Sequence, residues 1–363
     1  MKAWSPLFAA ALIYAGVNAQ IGLEIIEDDS TEPHAAFSEA MNGPGPCNGY
    51  PDYKDMPINQ AFYLGAHNTQ PNDISQALED GIRYLDINLC KAQGAITTCS
   101  SRDGSALKKT FKDVLDDIFQ FSRDSVQQFF IVNIKSENVA EPVETKELET
   151  LIDEMCKVHT EATAGTDEFV KKECPFIYTR GPGPWPSMAD VVEYYPDMAQ
   201  WEGDGEIVGV RTKFMFTKSD QIISTPGYHA TYFSPTFWRS THMEPVLSID
   251  DLKSNIRKEC RIPSGGIALE AYLSNQQDFT YTPETIEDIL LSRKGCNLND
   301  SPLNTFISLF SADDYRNQLP YLKELEKRMM DLNFAKWSGN YDLIKPSKFV
   351  KKEAEKKVER DEL

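Results

Sequence analysis

Histidine is scarce in this chain, with five residues in 363. Imidazole is the side chain that most readily moves protons near neutral pH, so an acid–base mechanism has few places to live. They are His34, His67, His159, His229 and His242. Positive charge is also short. Lys and Arg number 37 against 56 Asp and Glu, a formal net charge of -19. That balance argues against nucleic acid as a partner and against an electrostatic hold on anionic membranes. No Cys-x-x-Cys occurs, so neither a zinc ribbon nor a thioredoxin-type redox pair is indicated. There is no Gly-rich nucleotide loop and no internal repeat of fixed period. Apolar runs are short. None approaches the roughly 20 residues of a membrane-spanning helix, so no transmembrane anchor is expected.

What is present starts at the two ends. Met1-Lys2 leads into an apolar stretch that closes on Val17-Asn18-Ala19, the pattern of a secretory signal peptide over 1–19. The last four residues, Arg360-Asp361-Glu362-Leu363, differ by one from the Lys/His-Asp-Glu-Leu retrieval signal. Together the ends predict a protein of the endoplasmic reticulum lumen, read by a KDEL-type retrieval receptor, or a secreted one where retrieval is inefficient. Between them lie an acidic lead over 20–44, one domain over 45–340 and a charged tail over 341–363. The seven cysteines then sit in an oxidising compartment. Cys90–Cys99 and Cys156–Cys174 are candidate local bridges, although sequence alone does not fix connectivity. An odd count leaves at least one thiol without an intramolecular partner.

Strand-like runs at 61–65, 83–89, 128–134, 175–179, 205–217, 266–273 and 305–310 alternate with helical patterns at 74–81, 105–122, 144–159, 283–291 and 314–331. Such alternation favours parallel strands joined by crossover helices. Polar groups gather at the ends of three strands. His67 and Asn68 follow Gly65-Ala66, Asp86 and Asn88 stand two apart, and so do Lys135 and Glu137. Period-2 alternation puts each spaced pair on one face. One imidazole, two carboxylates, two carboxamides and a cation are the ingredients of a phosphate or metal site.

These residues resemble a known family. Gly65-Ala66-His67-Asn68-Thr69, followed by Gln76-Ala77-Leu78-Glu79-Asp80-Gly81-Ile82-Arg83-Tyr84-Leu85-Asp86-Ile87, is similar to the X-domain of phosphatidylinositol-specific phospholipase C and its PLC-like phosphodiesterase relatives. Cys47-Asn48-Gly49-Tyr50 looks like the lead of the secreted fungal-type branch. Trp185-Pro186-Ser187-Met188-Ala189-Asp190 is similar to a further family segment. The resemblance implies an α/β fold, a distorted (β/α)8 TIM barrel, and cleavage of a phosphodiester. It implies His67 as general base, with Arg83 and Asp86 beside it as catalytic residues. Asn68, Asn88, Arg102 and Lys135 are the candidate substrate or phosphate binders. Calcium is the one cofactor implied, with Asn68, Asp86 and Glu137 as its candidate ligands.

The chain also departs from the pattern. The family's second His is expected after Cys99, and Ser100 stands there. A hydroxyl does not donate a proton near neutral pH as imidazole does, and positioned acid catalysis typically contributes roughly 10²–10⁴-fold. Asn88 occupies the place of a phosphate-binding Arg or a metal-binding Asp. His34 and His159 read as solvated. His229 and His242 lie in an aromatic stretch over 227–246, which would offer another acid if it covered the barrel mouth. Two function classes follow. One is a luminal PLC-like phosphodiester hydrolase acting on inositol lipids or related phosphodiesters, with a non-standard acid. The other is a catalytically inactive barrel that binds a lipid head group, a metal or a protein partner.

Overall fold

The computed structural model describes residues 45–66, 74–100, 105–136, 141–163, 174–193, 200–202, 206–208, 212–220, 222–241, 266–271, 307–312, 315–316 and 319–340. After short helical turns at Pro46–Gly49 and Pro51–Tyr53, the elements in chain order are strand β1 (Tyr63–Ala66), helix α1 (Ile74–Glu79), β2 (Tyr84–Ala92), β3 (Ala95–Cys99), β4 (Ala106–Thr110), α2 (Phe111–Asp124), β5 (Phe129–Ser136) and α3 (Thr145–Thr163). There follow α4 (Met188–Val192), β6 (Gln200–Glu202), β7 (Glu206–Val208), β8 (Lys213–Lys218), β9 (Trp238–Thr241), β10 (Gly266–Ala271), β11 (Ile307–Ala312) and α5 (Leu319–Ser338). The helical pattern over 105–122 splits in two. Thr110 caps α2 by accepting from the Asp113 amide, while the Asp113 carboxylate accepts from the Thr110 amide at 2.9 Å. This capping box fixes the helix start at Phe111 and leaves 106–110 to pair as a strand.

The strands form one mixed sheet. Its parallel path runs β9-β10-β11-β1-β2-β5-β8. β3 and β4 extend from β2 as antiparallel neighbours, and β6 pairs with β7 separately. The ladders do not close the sheet into a barrel. Among the described residues no ladder joins β8 to β9, so the sheet is open there. The reason lies in the connection. Among its described residues, 219–237 holds no helix, and Phe233 returns to bridge Phe216 in β8. Ile177 bridges Phe214 on that same edge, where the sequence suggested a strand over 175–179.

The two faces of the sheet differ. Phe130 and Phe214 pack against Phe121 and Phe119 of α2. On the other face Tyr63, Phe129, Tyr178, Phe237, Trp238 and Tyr84 meet ring to ring near the strands' N-terminal ends. Below this aromatic floor, Cys47 and Asn48 adopt positive φ, a region Asn tolerates better than most residues. The Asn48 carboxamide donates to the Phe129 carbonyl at 2.7 Å and accepts from its amide at 2.8 Å, as a neighbouring strand would. The Cys-Asn-Gly segment is therefore a structural plug. Burial pushes the Cys47 thiol up to about 12, so it stays protonated and inert. Cys90–Cys99 and Cys156–Cys174 are disulfides, each with Cα atoms 5.9 Å apart. Cys260 and Cys296 lie outside the described residues. No helix among the described residues is long and apolar enough to cross a membrane.

Candidate functional site

The polar residues of β2, β5 and β8 interrupt apolar runs at one level. Register places Asp86 beside Asn133 and Asn133 beside Thr217. The Thr217 hydroxyl donates to Asn133 Oδ1 at 2.8 Å, and Asn133 Nδ2 donates to Asp86 Oδ1 at 2.9 Å. Lys135 Nζ closes the group on Asp86 Oδ2 at 2.6 Å. Asp86 is only 2% exposed. A buried carboxylate is tolerable when it is ionised against a cation and hydrogen-bonded, and both conditions are met here. Asn88 lies two residues above, beside Lys135, on the same face of β2. Its Oδ1 is buried without a hydrogen-bond partner.

Two chain ends converge on this point. β1 and β3 share the edge of β2 that β5 does not use. Ala66, at the end of β1, is level with Leu85, while β3 comes back from above, with Thr98 level with Leu89. Ser100 follows directly, its amide donating to the Ser105 carbonyl at 2.9 Å. The backbone thus brings position 100 close to the Asp86–Asn88 stretch.

Of the residues singled out from sequence, Asp86, Asn88 and Lys135 come together. His67, Asn68, Arg102 and Glu137 lie outside the described residues, as does His242. Arg83 is placed elsewhere. It precedes β2, and its guanidinium lies over the Phe121 ring at 5.4 Å, on the α2 side. It donates to the Leu78 carbonyl at 2.7 Å, the Ile82 carbonyl at 2.8 Å and Gln128 Oε1 at 3.1 Å. Burial lowers it to about 10, yet it remains charged at neutral pH. These are the bonds of a core tie on the α2 side, and they do not bring Arg83 to Asp86, Asn88 and Lys135. The expectation of a solvated His159 is corrected. It is buried between α2 and α3, with Nε2 2.9 Å from Asp116 Oδ1 and its ring stacked on Phe119. His229 is exposed, and its segment is fastened to α3 rather than extended across the site. Glu149 accepts from Tyr228 Oη at 2.7 Å and from the Tyr232 amide at 2.6 Å, and Asp153 accepts from Tyr232 Oη at 3.0 Å.

Sequence reasoning missed Asn133 and Thr217. The available signal was a polar residue following an apolar run in each strand. Of calcium's candidate ligands only Asp86 lies among the described residues. Its Oδ2 is bonded to the Lys135 ammonium. Among the described residues no group of three His, Cys, Asp or Glu is assembled to hold a metal.

No family model and no curated protein matches the chain. Solved structures do. A phosphatidylinositol-specific phospholipase C from Listeria monocytogenes is 14% identical over 76% of this chain and 94% of that one, with a TM-score of 0.48. A Staphylococcus aureus phosphatidylinositol-specific phospholipase C is 10% identical over 72% and 88%, with a TM-score of 0.39. A calcium-dependent phosphoinositol-specific phospholipase C from a Pseudomonas species is 12% identical over 46% and 59%, with a TM-score of 0.28. At these identities and scores the likeness is one of outline and assigns no residue a role.

Proposed function

We propose that the chain is a phosphoric diester hydrolase of the phospholipase C type, on a distorted (β/α)8 barrel, acting in the secretory pathway on an inositol lipid or a related phosphodiester. The observation that carries the proposal is the Asp86–Lys135 pair across β2 and β5, with Asp86 buried and steadied by Asn133. Displacement at a phosphodiester gathers negative charge on the phosphoryl oxygens. An ammonium held in place by a buried carboxylate stabilises that charge without reorganising. His67 follows Ala66, which is level with Leu85, the neighbour of Asp86. In sequence it matches the family's base, and it would take the proton from the attacking hydroxyl. Lys135 supplies the cation.

A second function is favoured by one observation, Ser100 in place of the second imidazole. A barrel so altered would bind the head group and not turn it over. Turnover of phosphatidylinositol in mixed micelles by the purified chain separates the two. The hydrolase predicts activity that disappears in His67→Ala while the unfolding midpoint stays put. Full activity in His67→Ala would sink it. A silent native chain that gains activity in Ser100→His would favour the binding barrel.

A further inference from the structure

Asn88 is 7% exposed, and its Oδ1 is enclosed with no group bonded to it. A buried carbonyl left unbonded costs roughly 1–3 kcal/mol. Its neighbours Asp86, Asn133 and Thr217 are bonded to one another, and none of those bonds reaches Asn88 Oδ1. Its register partner on β5 is Lys135. An anionic oxygen drawn to that ammonium would not suit Asn88 Oδ1, because both are acceptors. What fits the carbonyl is an O–H donor close to the anion. We infer that Asn88 reads a ligand hydroxyl neighbouring the phosphoryl group, and so selects hydroxylated phosphoesters over plain alkyl phosphates. The inference rests on the proposed placing of phosphate at Lys135.

The test is calorimetric titration of the full chain with two probes, sn-glycerol 3-phosphate and n-propyl phosphate. They share a phosphate and a three-carbon chain and differ in the hydroxyls. The native chain should bind the glycerol ester roughly tenfold tighter, the value of one net hydrogen bond at the upper end of its range. In Asn88→Leu that ratio should fall to about one while propyl phosphate affinity is kept, which also shows that the variant is folded. Equal binding by the native chain overturns the inference, and so does an unchanged ratio in the variant. Equal weakening of both probes would make Asn88 a phosphate donor and overturn it as well. Failure of the proposed function looks different, since a native chain that binds neither probe removes Lys135 as a phosphate site altogether.

Discussion

Asp86 holds a charge where charge is costly. Its side chain is 1% exposed, against 16% for Lys135. Removing one partner of a buried pair leaves the other uncompensated, typically at about 3–5 kcal/mol, whereas replacing both by apolar groups is often close to neutral. Lys135→Met should therefore lower stability by about 3 kcal/mol. The double variant Asp86→Leu/Lys135→Met should recover most of it in urea unfolding. A double variant as unstable as the single one would show that an isolated carboxylate is not the cause. The same comparison bears on function, because the restored double variant keeps the fold without the cation and should have no phosphate affinity. Arg83 is the contrast. Its three bonds all lead to the protein, so its loss belongs to stability.

Elements were legible in sequence where the hydrophobic period was undisturbed. Phe129–Ser136 and Tyr84–Ala92 appear as strands because they are buried on both faces, and Asp86, Asn88 and Lys135 fall on the face their spacing foretold. The pattern failed where a cap or a partner decided the outcome. Leu107 keeps helical spacing with Phe111, but Thr110 caps the helix after it. Trp238–Thr241 was not among the expected strands, because its pairing with β10 is far away in sequence. The site was half legible. A resemblance finds charged residues at fixed offsets, but it does not find Asn133 or Thr217, whose roles come from strand register. The two bridges were legible from spacing, and their contributions should differ. Cys90–Cys99 closes a separation of 9 residues inside a hairpin already held by its ladder, and Cys156–Cys174 closes 18. Loop-closure entropy gives about 2.5 and about 3 kcal/mol at 25 °C. Replacing Cys156 and Cys174 by Ala should lower the guanidinium midpoint more than replacing Cys90 and Cys99. The reverse order would mean that hairpin strain, and not loop length, sets the loss.

At the scale of the molecule, the end of the described chain secures its beginning. Helix α5 returns beneath the first strands, where Lys323 donates to the Gly81 carbonyl at 3.0 Å and Tyr53 bonds to Asp331. Glu326 sits in the middle of this contact, 3% exposed, bonded to Lys323 at 2.9 Å. Burial raises its carboxyl above the usual value, while Lys323, Arg83 and Tyr50 pull it down. The consequence for stability has a definite sign. Between 4.5, the ordinary value, and the raised one, the folded chain keeps a proton that the unfolded chain has released. Stability therefore falls as pH rises through that window, and below it both states are protonated and the slope vanishes. The net charge of -19 pushes the same way by self-repulsion, so the slope of the native chain alone would not identify Glu326. Glu326→Gln separates the two. Self-repulsion remains in the variant almost unchanged, and only the slope due to Glu326 is removed. Urea unfolding across a pH series should show the two chains diverging above about 4.5, with the Gln variant the more stable on the neutral side. Parallel curves would mean that Lys323 and Arg83 fully offset the burial of Glu326.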